Sequence, residues 1–410
     1  MVLREENLME IKNESEILIE EEIESVEDSK CDPSNFSQAV VWGTDWTTET
    51  INNQLLKGNI DLNPNFQRRD AWSDAEKSRL IESLMLGIPV PPIILAENKK
   101  KKNSYIVIDG KQRLLSIRRF FAEKEDAFVP LRLKSLKILS ELNGCTASKV
   151  REVNNDYMTS IENQSIRAVI IKNWPDEPFL YTVFLRLNTG SKQLSPQELR
   201  QALKPGSFLD FLDDATANSD VIKKMLNNKS ADTRMKDIEL TLRFFAYHYY
   251  FNEYTGNLKT FLDETCEKLN SEWDERENEI KDVFLLFEQT IEFCYEIMGT
   301  KSPFSRYESG VSANRFNRSI FELFTFYFRD EKVRDIVRED KERFISLFVA
   351  MNDDLDFVNA ASGSTKDTGN LITRFGKFFD LLSSLRHDGE VCIPKVNLVE
   401  GKIMISNIPC

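Results

Sequence analysis

Histidine is nearly absent from this sequence, since His248 and His387 are the only two among 410 residues. A histidine-bound metal nuclease centre needs several histidines, and a Ser-His-Asp triad needs one beside its nucleophile. His248 stands in an aromatic run over residues 244–251, where helix packing is the expected role. The sequence therefore argues against histidine-dependent catalysis.

Paired cysteines and long apolar stretches are also missing. The six cysteines form no Cys-x-x-Cys pair, which argues against a zinc ribbon or a disulfide framework and predicts reduced thiols. No segment approaches the roughly 20 apolar residues of a membrane span, and the N-terminus lacks the basic-then-apolar layout of a signal peptide. We therefore expect a cytoplasmic protein without membrane contact.

Acidic charge is concentrated at the start of the chain. The formal net charge is −13, and residues 1–30 carry eleven Asp or Glu against three Lys or Arg. An acidic protein is disfavoured as a DNA binder, but a separate acidic tail weakens that objection. The length favours two domains. The predicted units are a disordered tail (1–38), an N-terminal domain (39–204), a helical domain (205–388) and an extension with a hairpin (389–410).

A strand-to-helix turn is the most informative local feature. Residues 105–108 are a β-branched and aromatic run that predicts a buried strand, and apolar residues recur at helical spacing after Lys111. Asp109 and Gly110 separate the two elements. The first turn of a helix presents free N–H groups and a positive dipole end, which suit an anion, and Arg113 can grip phosphate oxygens. The alternative is that Asp109 caps the helix and Arg113 forms a surface ion pair.

A second helix begins upstream of this turn. Ser73 and Glu76 have the spacing of a capping box. Lys77 and Ser78 then fall in the first turn, where a cation is unfavourable to the helix dipole, so a bound anion would compensate. The alternative is that Lys77 pairs with Asp74 or Glu82.

Basic residues cluster near the turn. Four of them are consecutive and two follow in the next helix; they are Lys99, Lys100, Lys101, Lys102, Arg118 and Arg119. The four lysines fit a solvated hairpin tip, and they equally fit a contact with a DNA backbone.

Four blocks of the sequence occur in a characteristic order: residues 63–95, 105–120, 184–200 and 235–245. Together they resemble the N-terminal domain of the GmrSD-type restriction enzymes, a bacterial family with an Asp-Gly-Gln-Gln-Arg signature. The resemblance runs from about residue 45 to about residue 265 and more weakly to about residue 385. Two positions depart from the family: Lys111 stands where Gln is usual, and Ser191 where a second Gly is common.

The resemblance implies an α+β fold with a ParB/sulfiredoxin-like N-terminal domain and a mostly α-helical C-terminal domain. It also implies that the protein binds and hydrolyses a nucleoside triphosphate as its cofactor. Mg²⁺ is the candidate metal ion, and we expect no separate metal site made of protein side chains alone. Asp109, Gln112 and Arg113 are the catalytic candidates. The nucleotide-binding candidates are Arg68, Lys77, Ser78, Gly110, Lys111, Arg186 and Asn188. Arg186, Asn188 and Arg200 lie in a helix-loop-helix segment that would approach the turn, unless Glu198 and Arg200 form ordinary structural ion pairs.

The functional expectation is a module of a bacterial or phage-related restriction system that acts on foreign or modified DNA. Relatives often carry a histidine-dependent nuclease domain, which two histidines cannot supply, so a partner nuclease is expected. An oligomer is compatible with the sequence. One alternative is a non-enzymatic DNA-binding or adaptor protein. Another is a metal-dependent nuclease acting through Asp109, which lacks a second carboxylate beside the motif.

Overall fold

The computed structural model describes residues 33–60, 62, 69, 71–187, 195–363, 367–385 and 392–408. The predicted acidic tail lies outside these residues up to residue 32, as do Arg68, Asn188 and Ser191. The strands are β1 (Val40–Thr47), β2 (Ile93–Glu97), β3 (Tyr105–Asp109), β4 (Ser165–Lys172), β5 (Tyr307–Glu308), β6 (Val311–Ser312), β7 (Ile393–Val399) and β8 (Lys402–Ile408).

Helices make up most of the remainder. In the N-terminal half they are α1 (Thr48–Leu56), α2 (Asp74–Met85), α3 (Lys111–Phe120), α4 (Ala147–Val153), α5 (Asn155–Asn163), α6 (Glu177–Leu187) and α7 (Pro196–Leu203). In the C-terminal half they are α8 (Ser207–Asn218), α9 (Asp220–Met225), α10 (Lys236–Tyr250), α11 (Leu258–Ser271), α12 (Trp273–Met298), α13 (Arg318–Tyr327), α14 (Glu331–Glu339), α15 (Lys341–Met351), α16 (Leu355–Ser362) and α17 (Thr368–Ser384). Short 3₁₀ helices cover Pro33–Ser37, Ser140–Leu142 and Phe251–Glu253.

A four-stranded sheet of order β1-β4-β2-β3 organises the N-terminal half. β2 is parallel to β4, whereas β1 and β3 are antiparallel to their neighbours. Ile166, Ala168 and Ile170 of β4 pack on the side of α1, α2, α3 and α5, whereas Ile171 and Ile108 pack on the side of α6 and α7. β3 therefore lies between two packed layers and delivers Asp109 at its end.

The C-terminal half is an aromatic-rich helical body. Its core draws on residues 208–403, with α10 buried along most of its length. The Phe244 and Phe287 rings, for example, lie with centroids 4.7 Å apart. His248 belongs to the same packing, with its ring centroid 4.7 Å from that of Tyr249, and burial lowers its pKa to about 4. The predicted packing role of this histidine agrees with that environment.

The predicted fold class is confirmed: the protein is α+β, with small sheets and a helical C-terminal part. The predicted capping box of Ser73 with Glu76 is present, and Ser195 with Glu198 forms a second one. The final hairpin is also present and turns at residues 400–401. The domain boundaries and the ParB/sulfiredoxin-like assignment stay predictions. None of the described helices combines the length and apolarity needed to traverse a lipid bilayer.

Candidate functional site

The candidate site is the turn between β3 and α3, residues 109–113, which we call the 109–113 turn. Asp109 ends β3 and Gly110 is the N-cap residue of α3, with a φ of 99°. No side chain among the described residues caps this helix. The expected alternative in which Asp109 acts as the cap is therefore not observed. First-turn N–H groups lack acceptors within a helix, so this end of α3 suits an anion.

Gly110 cannot easily be replaced at this position. A Cβ atom added to Gly110 would lie 2.8 Å from Ile93 Cγ2 and 3.2 Å from Arg113 Nη2. Ile93 is fully buried in β2, so it has little room to move. Both the left-handed backbone and the close approach of β2 thus require glycine.

We predict that Gly110→Ala destabilises the protein more than Gly144→Ala does. Gly144 also has a positive φ, 84°, but a Cβ atom added there would meet no described atom within 4 Å, so only backbone strain of about 1–2 kcal/mol applies. At Gly110 the overpacking against Ile93 adds about 1–3 kcal/mol. Urea unfolding of the two variants measures the difference; equal losses would show that the contact with Ile93 does not matter.

Arg113 is held in the turn by one of its terminal nitrogens. Nη2 donates to Asp109 Oδ2 at 2.7 Å and to the Pro92 carbonyl oxygen at 2.9 Å. The Arg113 side chain is 13% exposed and that of Asp109 is 43% exposed. The ion pair expected as an alternative is therefore present. Nε is buried without a hydrogen-bond partner among the described residues, and Nη1 donates to none of them.

Lys111 connects the turn to the next helical segment. Its Nζ lies 3.0 Å from Glu198 Oε1, and both side chains are buried. The other oxygen of Glu198 accepts the Ser195 N–H at 2.8 Å within the capping box of α7. The Glu198 carboxylate thus completes the capping box at the start of α7 and also forms an ion pair with the first turn of α3. Lys111, the departure from the family signature, is engaged in this contact.

Arg200 continues the polar contacts away from the turn. Its Nε donates to Asp263 Oδ1 at 2.6 Å, and Nη1 donates to Gln197 Oε1 at 2.7 Å. The structural ion pairs expected as the alternative for Glu198 and Arg200 are both found. Arg186 lies exposed in the last turn of α6.

The other nucleotide-binding candidates belong to the start of α2. The buried Lys77 donates to the Trp72 carbonyl oxygen. Ser78 Oγ donates to the Asp74 carbonyl oxygen at 2.6 Å and accepts the Lys134 N–H. Asp74, one of the two carboxylates suggested as partners of Lys77, pairs with Arg119 and also interacts electrostatically with Lys77. The other, Glu82, accepts backbone N–H groups of residues 138 and 139.

The basic residues divide into an exposed and a buried set. Lys99, Lys100, Lys101 and Lys102 are exposed at the tip between β2 and β3. Arg118 and Arg119 are buried; Arg118 pairs with Asp126 at 2.5 Å and Arg119 with Asp74 at 2.9 Å. The structure thus separates the two arginines from the lysine tip with which the sequence grouped them.

Arg69 is a residue whose importance the sequence reasoning missed. It is 1% exposed and pairs with Asp213 at 2.5 Å and Asp237 at 2.6 Å, from α8 and α10. Nη2 also donates to Thr216 Oγ1 at 2.8 Å. Burial alone would lower the pKa of Arg69, but the two carboxylates outweigh it and raise the pKa. This contact joins the N-terminal half to the helical body.

Among the described residues, no three His, Cys, Asp or Glu side chains come together as a metal-binding group. Asp109 is the carboxylate that the 109–113 turn itself offers to a cation. Mg²⁺ commonly binds through one or two carboxylates together with substrate phosphates and water. The turn fits Mg²⁺ only as part of a nucleotide complex.

Comparison with known proteins identifies one family. Residues 50–203 match the family model described as GmrSD restriction endonuclease, N-terminal domain. This match confirms the family resemblance over three of the four sequence blocks, and the block at residues 235–245 lies outside it. The matched span contains the 109–113 turn, the exposed lysines and the capping box of α7. No curated protein and no solved structure matches the chain.

Proposed function

We propose that the protein serves DNA restriction by binding and hydrolysing a nucleoside triphosphate at the 109–113 turn. The match of residues 50–203 to the N-terminal domain model of the GmrSD restriction endonucleases supports the restriction role. The observation that carries this proposal is the unused part of the Arg113 guanidinium, at the uncapped start of α3. Nη1 and Nε make no hydrogen bond to a described residue. A guanidinium beside a helix N-terminus is a strong receptor for phosphate oxygens.

The negative charge of Asp109 would oppose the binding of a phosphate at this turn unless a cation binds with it. Its carboxylate contacts the same guanidinium, so an arriving phosphate would meet a like charge at close range. The partly exposed carboxylate can hold Mg²⁺ together with the phosphates, and the ion would supply charge neutralisation there. Asp109 would also orient the attacking water, with Gln112 in the first turn of α3 as a second water-orienting side chain.

In this scheme the protein's side chains position the phosphates and the attacking water, and they stabilise the negative charge of the phosphates. Arg113 binds the phosphates, the first turn of α3 adds its dipole, and Asp109 directs water to the terminal phosphorus. Lys111 and Glu198 keep α7 against the turn. In this proposal DNA cleavage is the task of a partner nuclease.

We predict that Asp109→Asn separates binding from hydrolysis. In EDTA the variant should bind nucleoside triphosphate more tightly than the wild type, because a carboxylate beside the phosphate is removed. With Mg²⁺ its phosphate release should fall by at least about 100-fold, as expected for losing a water-orienting group. Asp156→Asn, an exposed residue of α5, is the control. Wild-type hydrolysis by Asp109→Asn would rule out this role for the carboxylate.

The lysine tip supports a second candidate function, DNA binding by the same domain. Lys99 and Lys101 donate to the carbonyl oxygens of Pro175 and Gly58, whereas the Lys100 and Lys102 ammonium groups donate to no described residue. Two exposed ammonium groups at a hairpin tip can contact successive phosphates of a duplex.

We predict that Lys100→Gln with Lys102→Gln weakens DNA binding across all sequences. The slope of log affinity against log salt should fall in magnitude by about 2, since each phosphate contact contributes roughly 0.9. Gel shifts or fluorescence anisotropy at several salt concentrations measure the slope, with Lys149→Gln, an exposed lysine of α4, as the control. An unchanged slope would exclude the lysine tip from the DNA interface.

A further inference from the structure

A cavity of about 520 Å³ lies in the C-terminal half, separate from the 109–113 turn. It is bounded by the end of α13, the start of α14 and the final hairpin. The residues that matter for its chemistry are Asn252, Phe326, Arg329, Lys332, Cys392 and Ile405. This volume is in the range of small-molecule pockets.

Arg329 is one of the charged residues that line this cavity. Its Nη1 donates to the Tyr247 carbonyl oxygen at 3.1 Å, and its Cζ lies 4.4 Å from the centre of the Phe326 ring. No carboxylate of the described residues forms an ion pair with it, in contrast to Arg69 and Arg374. Burial lowers the pKa of Arg329 to about 10. A partly buried guanidinium without an ion-pair partner among the described residues favours the arrival of an anion.

The residues next to Arg329 add a second positive charge and apolar surface to the cavity wall. Lys332 is exposed at the start of α14 and adds a second cation. Asp330 also lines the cavity, and its negative charge partly offsets the effect of burial on the pKa of Arg329. Its Oδ1 accepts the backbone N–H of Lys332 at 2.9 Å as the cap of α14. The Phe326 ring and the Ile405 side chain supply apolar surface beside these charges.

We propose that this cavity binds a small organic anion whose phosphate or carboxylate group is held by Arg329 and Lys332. Its apolar part packs against Phe326 and Ile405. Asn252 already accepts the Ile405 N–H at 3.2 Å, and its amide N–H₂ can donate to the same oxyanion.

Cys392 in the cavity wall gives a direct readout in the full-length protein. Its thiol is free and exposed, so maleimide modification can be followed by mass spectrometry of the peptide that contains it. The probes are phenyl phosphate and benzoate, each compared with sodium chloride at equal ionic strength. A probe at about ten times its dissociation constant should slow the modification roughly tenfold, since only the unliganded protein reacts. The more effective probe identifies the preferred acid group.

Cys145, outside the cavity, is the internal reference, and its modification rate should not change. Arg329→Gln should abolish the protection, and Lys332→Gln should reduce it. The proposal is overturned if neither probe protects Cys392 more than sodium chloride, or if protection survives Arg329→Gln. Should Arg329→Gln fail to fold, Lys332→Gln decides, because unchanged protection in that variant also overturns the proposal.

Discussion

Replacing Arg113 by alanine should weaken nucleoside triphosphate binding by about 10- to 100-fold, which corresponds to one lost hydrogen-bonding group worth about 1.5–3 kcal/mol to a charged partner. The expectation follows from the donors of Arg113 that no described residue uses, beside the start of α3. Isothermal titration with each triphosphate measures the loss. Hydrolysis should fall at least as much, because the same group stabilises the terminal phosphate during transfer.

Two further variants make this result specific. Arg113→Lys should recover only part of the affinity, because an ammonium cannot form two parallel hydrogen bonds to a phosphate. Arg132→Ala removes an exposed arginine that donates to the Gly144 carbonyl oxygen, and it should bind nucleotide like the wild type. If Arg113→Ala binds as tightly as Arg132→Ala, the guanidinium has no part in binding.

Arg69→Ala should destabilise the protein by about 3–5 kcal/mol, because it leaves two buried carboxylates without their cation. Asp213 and Asp237 are each 2% exposed in their side chains and both contact Arg69. The free energy of unfolding from urea titration measures this loss. The surface pair of Arg151 and Glu162 is the matched control, and Arg151→Ala should cost no more than about 1 kcal/mol.

The pH dependence gives a second check on the same contact. Burial already raises the pKa of Asp237 in the wild type, although Arg69 opposes this effect, so removing Arg69 should raise that pKa further. Protonation then favours the folded state, so the deficit of Arg69→Ala relative to wild type should shrink as pH falls from 7 toward about 4. Combining Arg69→Met with Asp213→Asn and Asp237→Asn should restore most of the stability at pH 7. A deficit independent of pH would mean that lost packing, rather than unpaired charge, explains the effect.

Local features of the site were predictable from sequence because they depend on neighbours in the chain. The run of residues 105–108 predicts β3, and the following apolar spacing predicts α3. The Asp109–Arg113 ion pair is local too, because Arg113 lies in the first turn of α3 only four positions after the end of β3. Both capping boxes needed only a serine and a glutamate three positions apart.

Long-range contacts were not predictable in the same way. Lys111 meets Glu198 from 87 positions away, and Arg69 meets Asp213 and Asp237 from 144 and 168 positions away. No local spacing distinguishes Arg69 from Arg68, and the family resemblance singles out Arg68 alone. The same limit applies to Arg118 and Arg119: consecutive arginines suggest a basic surface, but α3 is enclosed and both side chains reach carboxylates inside the fold.

The central claim is that the 109–113 turn receives the phosphates of a nucleotide. It is tested most directly by comparing the affinity of the wild-type protein for ATP, GTP and CTP with its affinity for the corresponding nucleosides. At least one triphosphate should bind about 10-fold or more tightly than its nucleoside, since the phosphates supply the charged contacts, and Arg113→Ala should remove that difference. Equal affinities for triphosphate and nucleoside in the wild type, or a difference that persists in Arg113→Ala, would contradict the claim.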